Sequence, residues 1–169
     1  MRLVLDGDII VYRVGFASET CEWPIVAARV DELIRRTCYY YGTTLENCNY
    51  STYITSSDQS NFRFALYPAY KANRKDQPKP LWYNEIREYL LREHHGEAVF
   101  GMEADDRLAI ELTAEPETTI IASIDKDMLQ VPGRHFNFVK QEQYIVSEIG
   151  GWRNFFEQVL TGDRTDNIP

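Results

Sequence analysis

The chain has 169 residues, 44% of them hydrophobic and 26% charged, with a formal net charge of −8. That length and apolar fraction suit one globular domain with a sizeable core, since domains commonly run ~100–150 residues. No stretch approaches the ~18 consecutive apolar residues of a membrane-spanning helix, and the acidic balance excludes a chain that coats nucleic acid through overall charge.

Residues 2–5 (RLVL) form a short apolar run ending in Asp6-Gly7-Asp8, which is not a signal peptide. Residues 24–41 read as a helix, with Val26, Val30, Leu33, Ile34 and Cys38 on one face, Pro24 in the first turn and Gly42 as the stop. Residues 50–55 are aromatic and β-branched and read as a strand. Residues 57–80 are polar and basic and are expected to form a loop or a helical arch. A second helix over 80–95 turns Trp82, Ile86, Tyr89 and Leu90 inward and stops at Gly96. A short strand at 97–100 precedes a third helix over 103–113, packed by Leu108, Ala109 and Leu112. Residues 118–124 read as a central strand, and 134–139 and 142–147 as two further strands. Ser147 caps a last helix to about Leu160. Strands alternating with helices predict an α/β sandwich with a mostly parallel sheet, whose ligands collect at the carboxyl ends of the strands.

The three cysteines, Cys21, Cys38 and Cys48, are odd in number and lack metal-ligand spacing, so they read as reduced thiols of a cytoplasmic protein. Charge is unevenly spread. Arg63, Lys71, Arg74, Lys75 and Lys79 stand against the single acid Asp76 between residues 63 and 79. Acids instead recur after successive strands, in LDGD (from Leu5), SSD (from Ser56), GMEADD (from Gly101), SIDKDM (from Ser123) and TGDRTDNIP (from Thr161). Each segment alone has an ordinary use, as a turn or as a helix start favoured by the dipole. Together they crowd carboxylates at one edge of a sheet, where mutual repulsion calls for a bound cation. Oxygen ligands without His or Cys favour Mg²⁺ or Mn²⁺ over zinc. His94 and His95 are explained by a helix end, where positive charge is favourable, and His135 is expected to be structural or exposed. Trp82 fits the core, whereas Tyr67 and Tyr70 are balanced between packing and base stacking.

In this order and spacing, GMEADD, SIDKDM, TGDRTDNIP and PAYKANRK (from Pro68) resemble the flap endonuclease and 5′-3′ exonuclease family, over nearly the whole chain from Asp6 to Pro169. The resemblance implies a PIN-like α/β/α fold. It implies a metal-dependent nuclease that cuts DNA at a free 5′ end or flap, or RNA in RNA–DNA hybrids, leaving a 5′-phosphate. Asp6, Asp58, Glu103, Asp105, Asp106, Asp125, Asp127, Asp163 and Asp166 match the family's metal ligands, and Lys71 and Arg74 resemble its phosphate-contacting basic pair. Two Mg²⁺ ions are expected, replaceable by Mn²⁺, roughly 3.5–4 Å apart. Asp8 has no assigned counterpart. Residues 1–169 are expected to be one catalytic domain, monomeric, ending before the family's helix–three-turn–helix, and to work in a bacterial or phage-infected cell without a membrane. A PIN-type ribonuclease and a non-catalytic DNA-junction module are the alternatives.

Overall fold

The computed structural model describes residues 1–58, 60–74 and 77–169. Gln59 lies outside the described residues, as do Lys75 and Asp76 of the basic stretch. Six strands form one sheet: β1 (Arg2–Asp6), β2 (Tyr50–Thr55), β3 (Gly96–Val99), β4 (Thr119–Ala122), β5 (Gly133–Asn137) and β6 (Glu142–Val146). Their order is β3-β2-β1-β4-β5-β6, and every neighbouring pair is parallel except β5 with β6. Side chains alternate across this sheet with period two. Leu3, Leu5, Tyr50, Ile54, Ile120 and Ala122 enter one core, while Val4, Tyr53 and Ile121 enter the other. A sheet buried on both faces needs helices on both, which gives the expected mostly parallel α/β/α sandwich.

The helices are α1 (Gly7–Ala17), α2 (Trp23–Tyr40), the single turn α3 (Arg63–Leu66), α4 (Tyr83–Glu93), α5 (Ala104–Ala114) and α6 (Glu148–Thr161). α1, α2 and α4 fill the first core with Ile10, Val14, Val26, Val30, Ile34, Ile86 and Leu90. α5 fills the second with Leu108 and Leu112. α2 follows the predicted stripe, and Gly42 takes the left-handed conformation (φ 72°) expected of its stop. At the end of α4 the reading changes. His95 takes the left-handed conformation (φ 49°), and Gly96 opens β3 because a Cβ there would lie 2.5 Å from the Leu90 carbonyl oxygen. Ser147 caps α6 as predicted, accepting from the Gly150 N–H at 3.1 Å. The outer face of α6 leaves Ile149, Trp152, Phe156, Val159 and Leu160 exposed. Among the described residues no helix is long and apolar enough to cross a membrane.

α1 is absent from the sequence reading. Asp-Gly-Asp looks like a turn, yet Asp6 caps a helix by accepting from the Ile9 N–H at 3.1 Å. Gly7 is required there because a Cβ would sit 2.6 Å from the Tyr53 carbonyl oxygen. The described part of the 57–80 region contains α3 and a 3₁₀ turn at Ala72–Arg74. It lies on the 163–168 turn: Lys71 N–H donates to the Asp166 carbonyl at 3.0 Å, and Asn167 Nδ2 donates to the Ala69 carbonyl at 2.8 Å.

Strand order reverses at β1, since β2 and β3 lie to one side and β4 to the other. A crevice opens at such a switch, beyond the carboxyl ends of the strands. β1 ends there in Asp6, and β4 leads there into Ser123 and Asp125.

Candidate functional site

Asp6, the last residue of β1, is only 3% exposed. Its Oδ2 accepts from Ser123 Oγ at 2.7 Å, which ties the ends of β1 and β4 together. Ser123 Oγ also accepts from the Asp125 N–H at 3.0 Å, and Asp125 caps a 3₁₀ turn (Lys126–Gln130) by accepting from the Asp127 N–H at 2.9 Å. The joined ends of β1 and β4 thus place Asp6 and Asp125 together and seat the backbone of Asp127 beside them. A second group comes from α5. Glu103 is its N-cap and forms a capping box with Asp106, whose Oδ2 accepts from the Glu103 N–H at 3.0 Å. The three-residue spacing of Glu103 and Asp106 is that of this reciprocal cap. A third group, Asp163 and Asp166, is carried by the turn after α6.

Two adjoining cavities open onto these acids. One, of about 350 Å³, is lined by Asp6, Asp8, Glu103, Asp105 and Asp125, together with Lys71, Arg74, Lys79 and Arg87. The other, of about 460 Å³, is lined by Glu103, Asp105, Asp106, Asp127, Asp163 and Asp166, with an apolar wall that includes Leu66, Val131 and Phe155. Glu103 and Asp105 form the partition between them.

Charge at this partition is poorly solvated. Burial, then repulsion from Glu103 and Asp106, pushes Asp105 up to about 8. Burial, then Asp8, pushes Asp6 up to about 7, against the bond from Ser123. Asp127 is raised by burial and then by Asp125. Other acids are neutralised by cations that stand among them. Burial pushes Asp106 up, but Arg63 bonds it through two nitrogens, at 2.5 and 2.7 Å, and holds it below the usual range. Burial likewise opposes the ionisation of Asp163, yet Lys126 at 3.0 Å, the Thr165 N–H and Gln158 bring it down to about 2. Lys71 Nζ lies 2.5 Å from Glu103 Oε1 and 3.8 Å from Asp166 Oδ1, and Arg74 Nη2 lies 2.5 Å from the same Asp166 oxygen.

Tyr70 is buried, and its hydroxyl lies 2.6 Å from Glu103 Oε2 and 2.8 Å from Asp166 Oδ2. It joins the loop to two acidic groups and is a packing residue, whereas Tyr67 is exposed. Asp58 is not brought to the cluster. It is exposed in the turn after β2, where its Oδ1 accepts from the Ser60 N–H at 3.0 Å. Sequence reasoning read Arg63 only as part of the basic stretch and missed Ser123, Lys126 and Gln158, of which Lys126 alone carried a signal, its position between Asp125 and Asp127.

Among the described residues, no three of these carboxylates converge on one point, because cations and hydrogen-bond donors separate them. The donor set nevertheless fits a hard divalent cation. Both cavities offer carboxylate oxygens without His or Cys, and burial with like-charge repulsion raises Asp6, Asp105 and Asp127. His94 is remote from both, held between Tyr50 and Asp31, and His135 Nε2 donates to the Val131 carbonyl.

The fold is that of bacteriophage T5 5′-exonuclease with bound zinc, at a TM-score of 0.75 and 17% identity over 100% of this chain and 69% of that one. The bacteriophage T5 flap endonuclease, crystallised as a pseudo-enzyme–product complex with DNA and metal ions, matches at a TM-score of 0.68 and 17% identity, over 98% of this chain and 68% of that one. A 5′-3′ exonuclease of Buchnera aphidicola is 27% identical over 189 residues, covering 99% of this chain. A flap endonuclease Xni of Shewanella baltica is 31% identical over 186 residues, again covering 99%. The chain spans 64% of the length of the first relative and 68% of the second. Residues 1–157 match the family model described as the 5′-3′ exonuclease N-terminal resolvase-like domain, and the chain belongs to that family.

Proposed function

We propose that the chain is the catalytic domain of a 5′-nuclease that hydrolyses phosphodiester bonds of DNA at a free 5′ end or flap, leaving a 5′-phosphate. The observation that carries this reading is the partition of Glu103 and Asp105 between two acidic cavities, with Lys71 and Arg74 beside it. The names of the relatives support it. The substrate set extends to RNA in RNA–DNA hybrids, the working form is a monomer, and its place is the cytoplasm of a bacterial or phage-infected cell, a reading supported by the bacterial and phage sources of the relatives.

Two divalent ions, Mg²⁺ with Mn²⁺ as a substitute, are assigned to this site. When bound, they supply Lewis-acid activation of water and charge neutralisation at the phosphate. Asp6, Glu103, Asp105 and Asp125 would hold ions on one side of the partition, and Asp106, Asp127, Asp163 and Asp166 would do so on the other, directly or through waters. Asp58, turned to its own loop, is left out. Lys71 and Arg74 compensate Glu103 and Asp166 in the absence of ions. Their other role is to donate to the phosphate oxygens, where negative charge develops during cleavage. The exposed rings of Phe62, Phe64 and Tyr67, with Arg63 and Lys79, would hold the unpaired strand by stacking and charge.

The test is cleavage of end-labelled 5′-flap DNA, linear duplex and single-stranded RNA, with Mg²⁺ or with EDTA. Metal-dependent cutting of flap or duplex DNA supports the reading. Cutting confined to RNA would replace it with a PIN-type ribonuclease, and DNA binding without cutting would replace it with a junction-binding module.

Lys71→Ala is expected to slow the chemical step about 100-fold, since one lost donor to a developing charge costs ~2.7–4 kcal/mol. Single-turnover rates at saturating enzyme should fall by that factor while DNA affinity stays within about threefold. Collapse of affinity at an unchanged rate would make Lys71 a tether.

A further inference from the structure

Asp8, Thr55 and Arg87 match none of the family's metal ligands or its basic pair, yet they meet beside the acids. Thr55 is the last residue of β2, and three of its polar atoms are engaged by three different helices. Its N–H donates to Asp8 Oδ2 of α1 at 3.2 Å. Its carbonyl accepts from Arg87 Nη2 of α4 at 2.7 Å. Its Oγ1 accepts from the N–H of Ala104, the first residue of α5, at 2.9 Å. Asp8 Oδ1 and Arg87 Nη1 close the figure at 3.4 Å. These bonds are obligatory in their setting. Ala104 is buried, so its N–H has no water to bond, and the threonine hydroxyl supplies the acceptor. The Arg87 side chain is 12% exposed, with its guanidinium against the Tyr83 ring at 5.5 Å. Gly7 presses the start of α1 onto the same strand.

α1 begins at Asp6 and α5 at Glu103, which are their caps. Fastening both helix starts to one strand end therefore fixes the distance between Asp6 and the Glu103–Asp105 partition.

We propose that Asp8, Thr55 and Arg87 form a positioning clamp that sets the spacing of the two carboxylate groups for divalent-cation binding, and that Asp8 supports this spacing rather than ligating the ion. The clamp rests on the nuclease reading, in that it presupposes ions between these groups. An acid pulled away by even a fraction of an ångström loses its share of an ion that demands near-ideal octahedral geometry.

The test is direct titration of the DNA-free protein with Mn²⁺, following free Mn²⁺ by electron paramagnetic resonance, with the metal-free melting temperature as a folding control. If the wild-type chain binds no Mn²⁺, the nuclease reading and the clamp both fall. If it binds, Thr55→Val should weaken binding about tenfold, the lower end of the 10–100-fold that contacts supporting a ligand are worth. Thr55→Ser, which keeps the hydroxyl, should restore binding to within about twofold of wild type. Arg87→Met keeps the apolar stem, removes the guanidinium, and should weaken binding by about threefold or more; it decides alone if Thr55→Val does not fold. Asp8→Asn retains the acceptor for Thr55 and should lose far less than Asp125→Asn. Binding by Thr55→Val or Arg87→Met equal to wild type would overturn the clamp. A loss at Asp8→Asn equal to that at Asp125→Asn would make Asp8 a ligand and overturn its assigned role.

Discussion

Asp105→Asn is expected to cut the cleavage rate by orders of magnitude while making the metal-free fold more stable. Asp105 lines both cavities, and burial and its acidic neighbours hold it up to about 8. Above that pH its negative charge is a cost the folded chain carries for the sake of the ion. Asparagine keeps the oxygen that accepts from the Asp106 N–H, a bond of 2.7 Å, and removes the charge. Relief of repulsion by about 1–3 kcal/mol would raise the melting temperature by several degrees, at ~2–4 °C per kcal/mol for a chain of this size. Loss of a ligand that stabilises the transition state by several kcal/mol predicts a rate about 10³-fold lower, at ~1.4 kcal/mol per factor of ten. Melting in EDTA at pH 8.5 should be measured beside flap cleavage in Mg²⁺. Wild-type activity in the variant would remove Asp105 from the site; a lower melting temperature with activity lost would make it a structural residue.

The metal-free chain should become less stable as pH rises from 6.5 to 8.5. Asp6 and Asp105 are raised from 3.8 to about 7 and about 8, so across this window the folded chain holds protons that the unfolded chain has already lost. Stability therefore falls as pH climbs through the folded values, by roughly 3 kcal/mol at ~1.4 kcal/mol per proton and pH unit. Below about 6.5 the trend is opposed, because burial lowers His94 and His135 and the unfolded chain binds protons there. Asp163, depressed to about 2, contributes stability that is lost only in strong acid. Saturating Mg²⁺ favours the ionised carboxylates, so it should flatten the trend and release roughly one proton on binding near pH 7. Melting temperatures at both pH values, with EDTA and with Mg²⁺, check this. Greater metal-free stability at pH 8.5 than at 6.5 would contradict the poorly solvated charge at the partition.

What could be read from sequence followed from periodicity and chain order. The stripe Val26, Val30, Ile34 and Cys38 announces α2, and acids recurring after apolar runs announce a carboxylate edge once the sheet is parallel. α1 was hidden because the reason for its first turn lies elsewhere in the chain. Gly7 is needed by the close approach of the Tyr53 carbonyl, which no local pattern around Asp6 records. Asp58 misled for the opposite reason: in sequence it resembles an acid after a strand, but its carboxylate is satisfied two residues on by the Ser60 N–H. The partners of the cations were the least visible. Arg63 finds Asp106 across 43 positions, and Arg74 finds Asp166 across 92, so the pairing that compensates the acids is set by topology rather than by spacing.

The central claim is that these carboxylates are a cation site whose basic residues stand in for the ions. Anomalous diffraction from crystals soaked in Mn²⁺ tests it most directly. The expected map places at least one ion against Asp105, Asp106, Asp125 or Asp127, with Lys71 drawn away from Glu103. Anomalous density elsewhere, with Lys71 still on Glu103, Arg63 still on Asp106 and Lys126 still on Asp163, would contradict it.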